Sequence, residues 1–167
     1  MPIKEIRSGG QSGVDRAALD FAKEAGVPYS GWVPAGGWAE DFPQPPGLLS
    51  YYPQLQETPS SDPNVRTEWN VRDSDGTLIV SKTDSLDLSP GTVWTDEVAQ
   101  QYGRPCRLLR LESPSFDVDL VDFVNSFPNA VRLNIAGPRE SESPGIYLSL
   151  LTRLRALAPQ LLSEPAI

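Results

Sequence analysis

Two kinds of residue are missing or scarce, and each absence excludes a class of chemistry. The chain of 167 residues has no histidine, which excludes a Ser-His-Asp triad, a histidine general base and an imidazole-bound metal. Cys106 is the single cysteine, so the chain can form neither an internal disulfide nor a cysteine-only zinc site. We therefore expect no directly coordinated metal.

Positive charge and long apolar runs are also scarce. Fourteen basic side chains stand against 22 acidic ones, a formal charge of −8, which disfavours nucleic-acid binding because a phosphate backbone attracts positive surfaces. No apolar stretch reaches the ~20 residues that span a membrane, and residues 1–5 do not begin a signal peptide. These features predict a cytoplasmic protein with neither nucleic-acid nor membrane partners.

Proline is the residue in excess. Eight of the 17 prolines lie between Pro28 and Pro63, a density that excludes long helices and central strands there. We interpret residues 28–63 as a loop-dominated insertion with one short strand over residues 30–33. Five aromatic side chains favour an ordered loop over a disordered linker; they are Trp32, Trp38, Phe42, Tyr51 and Tyr52.

Outside the insertion, strand patterns alternate with helix patterns. Strands are predicted at residues 3–8, 77–81, 105–112 and 131–137, and helices at about 13–25, 62–73, 89–103, 116–127 and 144–157. The alternation predicts a single Rossmann-like α/β domain over residues 1–167, with a mostly parallel sheet of about five strands and helices on both faces. In such sheets, ligands bind beyond the carboxyl ends of the strands.

Three strand-to-helix loops carry chemistry that suits an anion. The first, residues 8–16, has three glycines that let a ligand approach the backbone at a helix start, although a tight turn that only packs the helix is the alternative. The other two begin a helix with Ser-Pro-Gly, at residues 89–91 and 143–145. Capping explains the serines and prolines, whereas a glycine in the first turn indicates a close ligand. The candidate contacts are Gly9, Gly10, Gln11, Ser12, Gly13, Arg16, Gly91 and Thr92.

A fourth segment, residues 66–76, supplies more charge. Arg66, Asn70 and Asp73 share one helical face by their spacing. The segment is either a solvated, self-paired helix or a source of arginines for an anionic ligand, and the sequence leaves both open. Contacts of second rank are Arg66, Arg72, Arg139 and Ser143.

Five segments together resemble the molybdenum cofactor carrier family. They are residues 8–20 (SGGQSGVDRAALD), 31–41 (GWVPAGGWAED), 66–80 (RTEWNVRDSDGTLIV), 90–95 (PGTVWT) and 133–147 (LNIAGPRESESPGIY). The resemblance implies a Rossmann-like fold, in a superfamily that includes nucleotide-sensing proteins and Lonely Guy-type nucleoside-monophosphate phosphoribohydrolases. It also implies a homo-oligomer that binds the molybdenum cofactor (molybdopterin) as cargo, through the cofactor's phosphate.

The motif of the phosphoribohydrolases is altered here. Those relatives carry Pro-Gly-Gly-x-Gly-Thr-x-x-Glu, whose glutamate serves the glycosidic cleavage. The comparable run is residues 89–95, and Thr95 stands at the glutamate position, where a hydroxyl cannot act as a carboxylate base. The departure favours a protein that binds a phosphorylated small molecule over an enzyme. Two alternatives remain open: an N-glycosidase that uses Asp73 or Asp75 as its acid, and a nucleotide-sensing protein.

Overall fold

A five-stranded parallel sheet forms the centre of the molecule. The computed structural model describes residues 2–82 and 89–163. Within them the sheet strands are β1 (Ile3–Arg7), β2 (Tyr29–Ser30), β5 (Gly76–Ser81), β6 (Cys106–Arg110) and β7 (Val131–Ala136), and β3 (Trp32–Val33) and β4 (Gln56–Glu57) form a separate parallel pair. The sheet order is β2-β1-β7-β5-β6, and every neighbouring pair is parallel. The predicted Rossmann-like α/β fold is confirmed.

Helices cover both faces of the sheet. They are α1 (Val14–Ala25), α2 (Pro63–Arg72), α3 (Pro90–Gln101), α4 (Phe116–Asn125) and α5 (Ile146–Leu162). Helices α1, α4 and α5 share the main core with Leu78 and Val80 of β5, whereas α2 packs with α3. Thr77 and Ile79 alternate with those core residues along the strand and so face the α2–α3 side. No described helix is both long and apolar enough to cross a membrane.

Local signals explain where α2 and α3 begin. Asp62 accepts a hydrogen bond from the Asn64 amide at 2.9 Å, and Ser89 Oγ accepts one from the Thr92 amide at 3.2 Å. A proline follows each cap at the first helical position, where its missing N–H costs nothing. Both helices therefore begin where Asp62-Pro63 and Ser89-Pro90 predict, although residues 83–88 of the loop before α3 lie outside the described residues.

The proline-rich segment has a small core of its own. Val33, Ala39, Leu48 and Leu55 pack with Leu19 of α1, and a short 3-10 helix covers Gly47–Ser50. The single strand predicted over residues 30–33 is wrong, because the chain divides it between β2, which pairs with β1, and β3, which pairs with β4. The break falls at Gly31, where φ is +155° and a Cβ atom would lie 1.9 Å from the Ser8 carbonyl oxygen.

Two further expectations differ from the structure. Helix α5 continues past the predicted end at residue 157 and through Pro159, because Leu161 extends its buried stripe to the last turn. The helical spacing of Trp94, Val98 and Tyr102 predicts that Tyr102 points inward, but it is 39% exposed, and its hydroxyl donates to Glu68.

Candidate functional site

The loop between β1 and α1 contributes to two cavities. One, which we call the arginine cavity, has a volume of about 380 Å³ and is bounded by β5, β7, α2 and α3. Its floor includes Ile79, Ala136 and Gly137, where β5 and β7 approach their carboxyl ends. The other, the acidic cavity, has a volume of about 520 Å³ and lies toward α1, α5 and the proline-rich segment.

The predicted site residues divide between these cavities. The arginine cavity is lined by Gln11, Arg66, Gly91, Thr92 and Arg139. The acidic cavity is lined by Ser12, Gly13 and Arg16. Gly9 and Gly10 belong to the loop but line neither cavity, and the same is true of Ser143 in its own loop. The structure thus brings residues from three loops and from α2 to one crevice at the carboxyl edge of the sheet.

Arg66 brings a buried positive charge to the arginine cavity. Its exposed fraction is 9%, and its Nη1 donates a hydrogen bond of 2.6 Å to the Gly9 carbonyl oxygen. No described carboxylate makes a salt bridge with Arg66. Burial lowers the pKa of Arg66, but guanidinium remains charged at neutral pH. Because an unpaired buried charge is costly, the guanidinium is suited to an anionic ligand.

Asp15, in the first turn of α1, is a buried carboxylate beside Arg66. Its exposed fraction is 6%, its Oδ2 accepts a hydrogen bond of 3.3 Å from the Gln11 amide, and its Oδ1 has no hydrogen-bond partner among the described residues. Burial raises the pKa of Asp15 to about 6, against the opposing effect of the Arg66 charge. Gly9 makes this arrangement possible, because a Cβ there would lie 3.0 Å from both Arg66 Cδ and Asp15 Oδ2.

The sequence analysis missed Asp15. An acidic residue in the first turn of a helix is common because it interacts favourably with the helix dipole, so Asp15 looks ordinary in the sequence. The one available signal was its position directly after a glycine-rich loop. Its partner Arg66 lies 51 positions further along the chain, and only the tertiary fold brings the two together.

Most amides of the glycine-rich loop are already occupied. The amides of Gly10, Gln11 and Ser12 donate to Ser8 Oγ, Asp15 Oδ2 and Gln11 Oε1, respectively, at 3.0–3.3 Å. Gly13, with φ +80°, packs so closely that a Cβ would lie 2.4 Å from the Pro138 carbonyl oxygen. These contacts agree with the alternative in which the loop is a tight turn. Because the amides are occupied, side chains are the main hydrogen-bond donors left for a ligand in the arginine cavity.

Arg72 and the two candidate aspartates lie away from the cavities. Arg66 and Arg72 are separated by about 9 Å along the axis of α2, so they reach different parts of the molecule. Arg72 stacks on Trp69 and pairs with Asp73 at 2.8 Å. Asp75 accepts a hydrogen bond of 2.7 Å from the Arg132 amide. None of Arg72, Asp73 and Asp75 lines either cavity.

The acidic cavity suits an anion poorly. Arg16, the one basic residue among the described residues that line it, forms a two-point ion pair with Asp41 at 2.8 and 2.9 Å. Asp20 accepts hydrogen bonds from the hydroxyls of Tyr52 and Tyr147. Burial is the main cause that raises the pKa of Tyr147 to about 12, and the hydrogen bond to Asp20 is the second cause. Four carboxylates line the cavity in all: Asp20, Glu40, Asp41 and Glu140.

The altered motif at the start of α3 has a structural role. Thr95 Oγ1 donates a hydrogen bond of 2.8 Å to the Gly91 carbonyl oxygen, one turn earlier in the helix. Thr95 lines the arginine cavity with its hydroxyl already engaged. Across residues 2–82 and 89–163, no three acidic or cysteine side chains are grouped as a metal site would require. Burial raises the pKa of the Cys106 thiol to about 11, which disfavours the metal-binding thiolate.

Comparison with known proteins identifies the family. The model of the circularly permutated YpsA SLOG family matches residues 6–158. The chain belongs to this family. A solved structure, described as a "putative molybdenum carrier protein" from Syntrophus aciditrophicus SB, is 42% identical, with a TM-score of 0.79 over 97% of this chain and 96% of that one. No curated protein matches the chain. The family and fold that the sequence motifs imply are thereby confirmed.

Proposed function

We propose that this protein is a molybdenum carrier whose cargo is the molybdenum cofactor, bound through its phosphate in the arginine cavity. The carrier role is supported by the Syntrophus relative, which is described as a "putative molybdenum carrier protein" and is 42% identical over nearly the whole chain. The observation that carries the choice of ligand is Arg66, a buried guanidinium that has no salt bridge in the described part of the chain and lines a cavity.

The surroundings of Arg66 suit a phosphate group. Helix α3 begins at the same cavity with Pro90-Gly91-Thr92, and the amino end of a helix attracts anions. Gln11 and Arg139 add further donors to the lining. A volume of about 380 Å³ lies in the usual range of small-molecule sites, roughly 300–1,000 Å³. The phosphate would lie between Arg66 and the first turn of α3, with the rest of the ligand toward Arg139.

Titration calorimetry with the molybdenum cofactor, molybdopterin and AMP tests the proposal. We expect Arg66→Gln to weaken binding by at least about tenfold, because hydrogen bonds to charged groups are worth roughly 1.5–3 kcal/mol. The matched control is Arg72→Gln, which removes an arginine from the same helix outside the cavity and should leave the affinity unchanged. If none of the three ligands binds at about 100 μM, a free energy of about −5.5 kcal/mol, the proposal is rejected.

The geometry of the site supports the two alternative functions less well than it supports binding of a phosphorylated cargo. An N-glycosidase that uses Asp73 or Asp75 gains no support, because Asp73 is held by Arg72 and Trp32, Asp75 is held by the Arg132 amide, and neither lines the arginine cavity. A nucleotide-sensing role would appear as tight binding in the AMP titration alone. The homo-oligomeric state and the cytoplasmic location stay predictions, and sedimentation velocity tests the first of them.

A further inference from the structure

We propose that the arginine cavity takes up its oxyanion together with a proton, and that Asp15 is the residue that holds the proton. This inference rests on the anion site proposed at Arg66 and adds how the occupancy of that site is controlled. Asp15 acts here as a positioning residue, because it sets the charge next to Arg66 rather than contacting the anion itself.

The side chains of Asp15 and Arg66 lie against the same glycine, but they do not form a salt bridge with each other. Both side chains lie against Gly9, where a Cβ would be 3.0 Å from Asp15 Oδ2 and 3.1 Å from Arg66 Nη1. The Arg66 guanidinium donates instead to the Gly9 carbonyl oxygen. Asp15 Oδ1 is buried with no hydrogen-bond partner among the described residues. Although the Gly137 amide favours the ionised form, an ionised Asp15 has one buried oxygen that no described residue satisfies with a hydrogen bond, and this favours the neutral form.

The charge state of Asp15 determines how much of the Arg66 charge an anion meets. When Asp15 is ionised, it neutralises part of that charge and repels an incoming anion. When Asp15 is protonated, Arg66 is uncompensated and attracts the anion fully. Burial raises the pKa of Asp15 to about 6, and a bound anion would raise it further. Anion binding therefore consumes a proton, and ionisation of Asp15 at higher pH expels the anion.

Other charged groups around Asp15 have partners of their own. Arg16, the next residue of α1, is paired with Asp41. Arg139, from the loop after β7, is paired with Glu142, and Asp62 caps α2. Asp15 is the carboxylate in the cavity lining that combines deep burial with an oxygen free of described partners. Its titration is therefore the one expected to control anion binding near pH 6.

Sulfate is the probe, because its charge stays constant between about pH 5 and pH 7.5. We expect wild-type protein to bind sulfate about tenfold more tightly at the lower pH, the change that one unit of pKa shift produces. Asp15→Asn, which imitates the protonated state, should bind at both pH values with the affinity that wild type shows at low pH. The matched control, Asp62→Asn, removes a charge from the same cavity lining and keeps its capping oxygen, so it should retain the wild-type pH dependence.

Calorimetry on wild type in two buffers of different ionisation enthalpy provides a measurement that needs no variant. At about pH 6.5 sulfate binding should take up a large fraction of one proton, and Asp15→Asn should take up none. A wild-type affinity that does not change with pH, or a pH dependence that persists in Asp15→Asn, overturns the inference while leaving the anion site intact. Failure of sulfate to bind at either pH instead rejects the anion site at Arg66 and this inference with it.

Discussion

Gly13 is the residue at which the β1–α1 loop presses against the loop after β7. Its φ is +80°, and an added Cβ would lie 2.4 Å from the Pro138 carbonyl oxygen. We expect Gly13→Ala to lower the free energy of unfolding by at least about 2 kcal/mol, because a clash with backbone adds to the roughly 1–3 kcal/mol of strain in its positive-φ conformation. Urea denaturation at equilibrium measures this loss.

The control for Gly13 is Gly103, which follows α3. Gly103 also has a positive φ, +63°, but no described atom beyond its chain neighbours lies within 4 Å of its Cβ position. Gly103→Ala should therefore cost only the backbone strain, about 1 kcal/mol. Equal losses in the two variants would show that the contact with Pro138 is not what requires glycine at position 13.

Single residues were predictable from sequence when their role is local. Gln11, Gly91 and Thr92 follow strands at helix starts, and parallel strands bring such positions to one edge, so they line the same cavity. The sequence could not predict that Arg66 lines the arginine cavity and Arg72 does not, because this depends on where each residue lies along α2 relative to the cavity. Asp15 was missed because its importance comes from burial beside Arg66, which no spacing in the sequence reveals.

At the scale of elements, the amino end of α2 determines where Arg66 lies. Asp62 caps this helix through the Asn64 amide. We expect Asp62→Ala to lower the free energy of unfolding by about 1 kcal/mol, because it leaves a helix-end amide without its acceptor. Asp62→Asn keeps an acceptor oxygen and should stay within a few tenths of a kcal/mol of wild type. Thermal unfolding of both variants measures the difference, and equal melting temperatures would contradict the capping role.

Helix boundaries could be predicted from the sequence where a capping or stop residue specifies them. Asp62-Pro63 and Ser89-Pro90 predicted the starts of α2 and α3, since capping depends on neighbouring residues alone. The break at Gly31 was not predictable, because it arises from the approach of the Ser8 carbonyl oxygen, which follows β1. The end of α5 was likewise misplaced, because burial of Leu161 outweighs the local effect of Pro159.

At the scale of the whole molecule, stability depends on the central strands. Leu133 of β7 is fully buried between β1 and β5, whereas Leu148 of α5 is 62% exposed. We expect Leu133→Ala to cost about 2–5 kcal/mol through lost burial and a cavity, and Leu148→Ala to change stability by no more than about 0.5 kcal/mol. Guanidinium denaturation should show a lower midpoint for Leu133→Ala alone. Similar midpoints for the two variants would contradict the burial that the fold assigns to Leu133.

The two edge strands of the sheet differ in length and in charge, and neither favours pairing with a strand of another chain. Strand β2 has only two residues, too few to template a long intermolecular ladder, and β6 carries Arg107 and Arg110 along the opposite side. Short edges and edge charges both oppose pairing with a strand of another chain. The hydrogen-bonded sheet therefore ends within one molecule, and fibril-like growth by pairing of sheet edges between molecules is disfavoured.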